Sequence, residues 1–350
     1  MGLEKRLFII MINYNINLEA RKMSNKIVLS ICIPSYNRGH RAFELVESIM
    51  PLLEQYKEIE VVVSDNGSEK NTEGYKKIED ICHDRIKFNR FKENQYFWGN
   101  INQVLKMASG DFALLISDED KIVNEAVPSY IELCRNHKDV SVIRSNSDLT
   151  YWKIEDNYAK KGIDAIKNFY MLNNYISGVI YNRNIVNDDI LDMLYNEFKN
   201  NISYRFYPHE VIDAYCVVSG DFFSSGIRLI EEGVEEKEQD EIPVSQETSD
   251  LRDYNTYASR LQQQHGFVQV IKDLWCAGEG EKAQMFLRLI SKTRFLYDIT
   301  RDIVKTNDED FKNELLMLRD ASMDDLKYLN LAVINNNIDM WIEFIDETMK

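Results

Sequence analysis

The chain is poor in the residues that break a fold and in those that staple one. Five prolines and 14 glycines in 350 residues are too few for a collagen-like or linker-dominated protein. With 44% apolar and 11% aromatic residues, a disordered chain is excluded as well. Five cysteines (Cys32, Cys82, Cys134, Cys216, Cys276) are odd in number and far apart, with no C-x-x-C pair. That argues against a disulfide framework or zinc finger and for a reducing, cytoplasmic setting. The longest early apolar run, Leu7 to Ile12, is far short of the roughly 18 residues a spanning helix needs. Basic residues are scarce too: 42 against 58 acids, a net charge of −16, which repels nucleic acid and disfavours uniform adhesion to anionic lipid. G-x-G-x-x-G after the first strand, G-x-x-x-x-G-K-[ST], H-E-x-x-H and G-x-S-x-G are all missing. No glycine-amide phosphate cradle, zincin helix or nucleophile elbow is encoded.

What is present is alternation. Ile27 to Ile33 is a nearly continuous apolar run stopped by Pro34, as a buried parallel strand should be. Ala42, Leu45, Val46 and Ile49 then recur at helical spacing. A second strand, Ile59 to Val63, stops at the turn residues Ser64-Asp65-Asn66-Gly67-Ser68. A helix near Thr72 to Cys82, a strand near Ile86 to Phe91 and a helix marked by Ile101, Val104, Leu105 and Ala108 follow. The strand Phe112 to Ile116 then runs into Ser117-Asp118-Glu119-Asp120. This repetition predicts an α/β fold with a mostly parallel sheet and helices on both faces. Ligands of such sheets sit outside the carboxyl ends of the strands, where three polar clusters fall: 34–38, 64–68 and 117–120.

Further along, helices are expected over about Glu125 to Asn136 and His209 to Ser219, with a strand over Val140 to Arg144. Glu231 to Glu241 holds seven acids and one Lys and reads as a solvated loop or lid. The organisation expected is an extension over 1–22, a domain over 23–230 in two halves (27–120 and 121–230), an acidic loop over 231–253 and a helical C-terminal region over 254–350. Between Lys282 and Lys305 six basic residues face two acids. That stretch reads as a bundle helix, with a peripheral contact at the inner face of the cell membrane as the alternative.

Asp118 and Asp120 are the first candidates for chemistry. Residues two apart in an extended segment point the same way, so both carboxylates can face one hard cation, Mn²⁺ or Mg²⁺, that leaves positions open for phosphate oxygens. The competing reading is two solvated acids in a turn. His209 reads as a metal ligand, an acceptor contact or a helix-start residue. Arg205 reads as a phosphate partner or a surface ion pair, and Tyr96 and Trp98 as ligand-stacking rings or core.

Three segments carry a resemblance: Ser30-Ile31-Cys32-Ile33-Pro34-Ser35-Tyr36-Asn37-Arg38, Val61-Val62-Val63-Ser64-Asp65-Asn66-Gly67-Ser68, and Gly110-Asp111-Phe112-Ala113-Leu114-Leu115-Ile116-Ser117-Asp118-Glu119-Asp120. In this order and spacing they resemble the family-2 glycosyltransferases of GT-A fold, over residues 27 to about 125. Tyr175 to Tyr181 and Tyr207-Pro208-His209-Glu210 more weakly resemble the abequosyltransferase-like subgroup. The resemblance implies a Rossmann-like GT-A sheet and metal-dependent, inverting transfer of a sugar from a nucleoside diphosphate, a UDP-sugar first among them. The acceptor implied is a hydroxyl of a saccharide or lipid-linked saccharide, in bacterial surface polysaccharide synthesis. It implies donor contacts from Pro34, Tyr36, Asn37, Arg38, Asp65, Asn66, Asn94, Asn100, Ser117 and Asp118, with Asp65 on the base. It places a metal on Asp118 and Asp120, with His209 a further candidate, and the general base on Glu210, with Asp213 as runner-up. In the resembling family the donor-approaching segment into which Asn94 and Asn100 fall often has Gly two residues after its first Asn, and Tyr96 stands there. Two other readings stay open: a sugar-phosphate nucleotidyltransferase, against which the missing Gly-rich loop speaks, and a non-catalytic sugar-nucleotide-binding assembly subunit.

Overall fold

In a computed structural model the described residues are 26–148, 154–162, 164–165 and 175–233, with a few between 262 and 274. The expected extension over 1–22, nearly all of the acidic loop and C-terminal region, and the basic stretch 282–305 lie outside them.

The elements run β1 (Leu29–Ser35), α1 (Gly39–Gln55), β2 (Ile59–Asp65), α2 (Glu73–Glu79), β3 (Ile86–Arg90), α3 (Tyr96–Met107), β4 (Phe112–Leu115), β5 (Lys121–Ile122) and α4 (Val127–Asn136). Then come β6 (Val140–Ser147), β7 (Asn157–Ala159), β8 (Val179–Asn182), α5 (Asp188–Phe198), α6 (Ile202–Phe206), α7 (Pro208–Ser219) and β9 (Asp221–Glu231). Among the described residues nine strands form one sheet in the order β3-β2-β1-β4-β8-β6-β9-β5, with β7 also on β9. The half from β3 to β4 is parallel, as the apolar runs of β1, β2 and β4 require: every residue of these three strands is buried. Beyond β4 the sheet turns mixed, because β8 enters antiparallel to both β4 and β6.

Alternate residues of each strand feed two cores. Cys32, Val62 and Leu115 face Ile101, Val104 and Leu105 of α3 and Val211, Ala214 and Val217 of α7. Ile31, Ile33, Val61 and Val63 face Leu45, Val46 and Ile49 of α1 and Tyr130 of α4. Two-sided burial is why these strands carry no polar stripe. Polar side chains of β1 and β2 fall near the strand termini: Ser30 donates to Glu60 near the amino ends, and Ser35, Ser64 and Asp65 stand at the carboxyl ends, beside the site. Among the described residues no helix is long and apolar enough to cross a membrane.

Candidate active site

A cleft of about 470 Å³ opens at the carboxyl ends of β1, β2 and β4. Pro34 and Ser35 at the end of β1 and Tyr36 and Arg38 after it line the cleft, with Asn66 after β2, Asn94, Tyr96, Phe97, Trp98 and Asn100 around the start of α3, and Ser117 and Glu119 after β4. Tyr175, Ile176 and the stretch Arg205 to Tyr207 with His209 close the far side.

The acidic turn is held differently from an extended strand end. The Asp120 N–H donates to the Ser117 carbonyl at 3.2 Å, so the segment is turned and the every-second-residue argument does not apply to it. Asp118, 2% exposed, accepts from Ser35 Oγ at 2.5 Å and pairs with Arg38 at 2.8 Å. Ser35 spends its one proton on Asp118, so the Tyr75 hydroxyl at 2.6 Å donates to it, and the Arg38 N–H donates to Tyr75 in turn. Burial pushes the Asp118 carboxyl up despite the Arg38 guanidinium. Asp120, also buried, accepts from Ser177 Oγ at 2.5 Å and from the Gly233 N–H at 3.3 Å. Its carboxyl is pushed up to about 6, chiefly by burial.

Glu119, between them, is the acid that lines the cleft. Its Oε2 takes Arg38 at 2.9 Å and Arg41 at 3.4 Å, and its Oε1 accepts from the Tyr175 hydroxyl at 2.8 Å. Tyr175 itself is pinned by Arg144, which donates to its carbonyl at 3.0 Å. Arg144 is fully buried and its guanidinium is lowered to about 10 by that burial.

The nucleoside-side residues divide in the same way. Asp65 is fully buried and does not line the cleft. Its Oδ1 accepts from the Ser68 N–H and hydroxyl at 3.0 and 2.5 Å, and Oδ2 pairs with Arg90 of β3 at 3.1 Å. Burial raises its carboxyl above the ordinary range. Asn37, at φ 56°, accepts from the Glu69 and Lys70 N–H groups through Oδ1 and braces the two strand-end loops together. Asn66 does line the cleft. Its Nδ2 donates to Asn94 Oδ1 at 2.9 Å and to the Tyr96 carbonyl at 3.0 Å, and its Oδ1 accepts from Gln95 N–H at 2.8 Å. Asn100 spends both amide hydrogens on the Ser35 and Ser64 carbonyls, leaving its buried Oδ1 without a protein partner.

That lattice explains Tyr96. It sits at φ 61°, a conformation costing a non-glycine residue about 1–2 kcal/mol, and Asn94 and Asn66 hold its N–H and carbonyl there. Sequence reasoning marked Tyr96 as standing in a glycine's place, and the backbone does adopt the glycine conformation.

On the far side, α7 starts with Pro208 in its first turn, where a missing N–H costs nothing. His209 lines the cleft while Glu210 is 6% exposed and does not line it. Asp213 accepts from the Tyr181 hydroxyl at 2.8 Å and supports the charge of Arg144, away from the cleft. Among the described residues no three His, Cys, Asp or Glu side chains gather as a metal cage. A hard cation held by the described residues would have few protein ligands, with phosphate oxygens completing its shell, the arrangement Mg²⁺ favours. Glu119 and His209, both lining the cleft, offer a suitable carboxylate and imidazole. Sequence reasoning gave Glu119 no role of its own, placed Tyr175 and Ser177 only within the weaker resemblance over Tyr175 to Tyr181, and missed Gly233 as a partner of the acidic turn.

The mixed sheet with helices on both faces, opening a polar cleft beside an acidic turn at its strand ends, is an α/β arrangement shared with glycosyltransferases of GT-A fold. Residues 30–189 match the model of the family described as Glycosyl transferase family 2, which identifies that stretch as a domain of this family. The chain is 29% identical over 107 residues to the GalNAc(5)-diNAcBac-PP-undecaprenol beta-1,3-glucosyltransferase of Campylobacter jejuni, a match covering 30% of this chain and 33% of that protein. It is 34% identical over 117 residues to the uncharacterized glycosyltransferase YfnE of Bacillus subtilis, covering 32% and 28%. The matches thus span about a third of these relatives' length. The fold is shared with S. aureus TarS 1-349, solved in complex with UDP-GlcNAc, at a TM-score of 0.57 and 15% identity over 92% of this chain and 88% of that one.

Proposed function

We propose that this protein moves a sugar from a UDP-sugar to a hydroxyl of a lipid-linked saccharide, with inversion at the anomeric carbon, in the building of a bacterial surface polysaccharide. The observation that carries the reading is the cleft itself. Three strand ends deliver Tyr36, Asn66 and Ser117 to it, α3 adds Asn100, and Arg38, Glu119 and His209 line the same cleft. The UDP and UDP-GlcNAc complexes of the TarS fold neighbour and the undecaprenol-linked substrate in the name of the Campylobacter relative support the choice of donor and acceptor class.

The cation we assign is Mn²⁺ or Mg²⁺, held by Glu119 and His209, with Asp118 and Asp120 shaping the turn that aims Glu119. When bound, it supplies positive charge toward the diphosphate leaving group. Arg38 adds a fixed guanidinium beside the same carboxylate, and its pairing with two acids keeps it oriented before a donor arrives. Asn100 Oδ1 accepts a hydrogen from the nucleoside, and Asp65 acts through the loop it holds with Ser68. Glu210 is the base we assign: its carboxylate takes the acceptor hydroxyl's proton as that oxygen attacks the anomeric carbon, from the helix turn that presents His209. Thermal stabilisation by UDP-, GDP-, CDP- and dTDP-sugars, each with and without Mn²⁺, tests the reading. A metal-enhanced shift with at least one sugar nucleotide is expected, and no shift with any of them overturns it.

A further inference from the structure

Tyr96 is held at φ 61° by a lattice that would hold a glycine equally well. Asn94 Oδ1 takes its N–H and Asn66 Nδ2 its carbonyl, so neither bond uses the side chain. A residue that strains its backbone without serving that lattice is retained for what its side chain does. The side chain lies in the cleft. Its ring stacks on Trp98 with centroids 4.4 Å apart and planes 4° apart. Trp98 packs against the core beneath α3 and α7, and the Arg205 guanidinium stands 5.4 Å from its ring. Arg205 is fixed in turn by the Lys199 carbonyl at 3.0 Å. Trp98 thus anchors the Tyr96 ring to the core, and Tyr96, Trp98 and Arg205 all line the cleft.

The position of that stack selects its ligand. Through Asn66 the Tyr96 end belongs to the carboxyl end of β2, beside Pro34, Ser35 and Tyr36, where the nucleotide part of a ligand sits in a parallel sheet. Arg205 belongs to α6, on the far side of the cleft. A rigid aromatic plane at the nucleotide end suits a nucleobase, whose π-face stacks on a side-chain ring whatever its hydrogen-bonding edge. We propose that the Tyr96–Trp98 stack is the platform for the donor's base, and that the left-handed backbone at Tyr96 exists to aim that ring. The inference rests on the sugar-nucleotide reading and deepens it.

The test compares wild type with Tyr96→Phe and Tyr96→Gly by titration calorimetry. UDP, GDP, CDP, dTDP and inorganic pyrophosphate are each titrated with Mn²⁺ present. Glycine is at home at φ 61°, so the Gly variant keeps the loop and removes only the plane. For whichever nucleotide binds wild type, affinity should fall roughly 5- to 150-fold in the Gly variant and stay within about twofold in the Phe variant. Pyrophosphate should bind all three alike. Equal nucleotide affinity in the Gly variant overturns the platform and leaves the sugar-nucleotide reading standing. A parallel fall for pyrophosphate also overturns it, since Tyr96 would then hold the shape of the site. If no nucleotide binds wild type, the underlying reading fails and the platform with it.

Discussion

Glu119 and Asp118 are neighbours in one turn, yet the structure assigns them opposite kinds of importance, and a pair of substitutions separates them. The Glu119 side chain is 30% exposed in the cleft, where solvent screens its pairing with Arg38 and Arg41. Glu119→Gln keeps the volume and one acceptor, so its cost falls within the range of exposed pairs, about 0–1 kcal/mol. For a domain of this size that is roughly 0–4 °C in melting temperature. Asp118 has no exposed side-chain surface. Asp118→Ala strips Ser35 of its acceptor and Arg38 of its buried partner, and breaking a buried pair from one side costs about 3–5 kcal/mol. Arg38 keeps Glu119 and is 28% exposed, so the lower end applies: about 3 kcal/mol, or roughly 6–12 °C. Turnover should reverse the ranking. Glu119→Gln removes the negative charge that holds the cation and orients Arg38, and should slow nucleoside diphosphate release on the order of 10²-fold or more while the fold survives. Scanning fluorimetry and a UDP-release assay, run on both variants with and without Mn²⁺, give the four numbers needed. An Asp118 variant that melts normally, beside a Glu119 variant with wild-type turnover and metal response, would refute the assignment.

Three further outcomes follow from the geometry. Asp65→Ala should lower stability by about 1–3 kcal/mol, read by urea unfolding, since Ser68 and Arg90 lose their shared acceptor; unchanged stability would mean that the loop holds itself. Gly233→Ala should cripple turnover, because an added Cβ would lie 1.5 Å from the Glu119 carbonyl oxygen and the acidic turn must shift; near-normal donor turnover would show that this turn tolerates displacement. Glu210→Gln should keep nucleotide affinity but cut transfer about 10²–10⁴-fold, whereas Asp213→Asn, which disturbs Tyr181 and Arg144, should lower the melting temperature first. If Asp213→Asn proves the catalytically severe change in a normally folded protein, the base is Asp213.

Much of this was legible before any coordinates. β1, β2 and β4 are unbroken apolar runs because both sheet faces are covered, and each run ends in a polar cluster that lies at the cleft or braces it. What was not legible depends on turns and on distant partners. The period of two that would have aimed Asp118 and Asp120 together holds only in extended chain, and Ser117 to Asp120 is a turn. Asp65 reads as an open acid until β3 brings Arg90 alongside it in register, which nothing local announces. β9 escaped notice because Ser224-Ser225-Gly226 interrupts its apolar pattern and the register shifts against β6. Tyr175 to Asn182 shows no regular period because only Val179 to Asn182 form a strand, while the others contact the acidic turn.

The most direct test of the central claim is transfer itself. The full chain is incubated with the sugar nucleotide that stabilises it best, Mn²⁺ and undecaprenyl-diphosphate-linked saccharides, and the product is analysed by NMR for its new glycosidic bond. The account predicts nucleoside diphosphate release coupled one for one to a saccharide whose anomeric configuration is opposite to the donor's. Retention of the donor's configuration would contradict the mechanism, and an absence of any glycosidic product with every acceptor and donor would contradict the function.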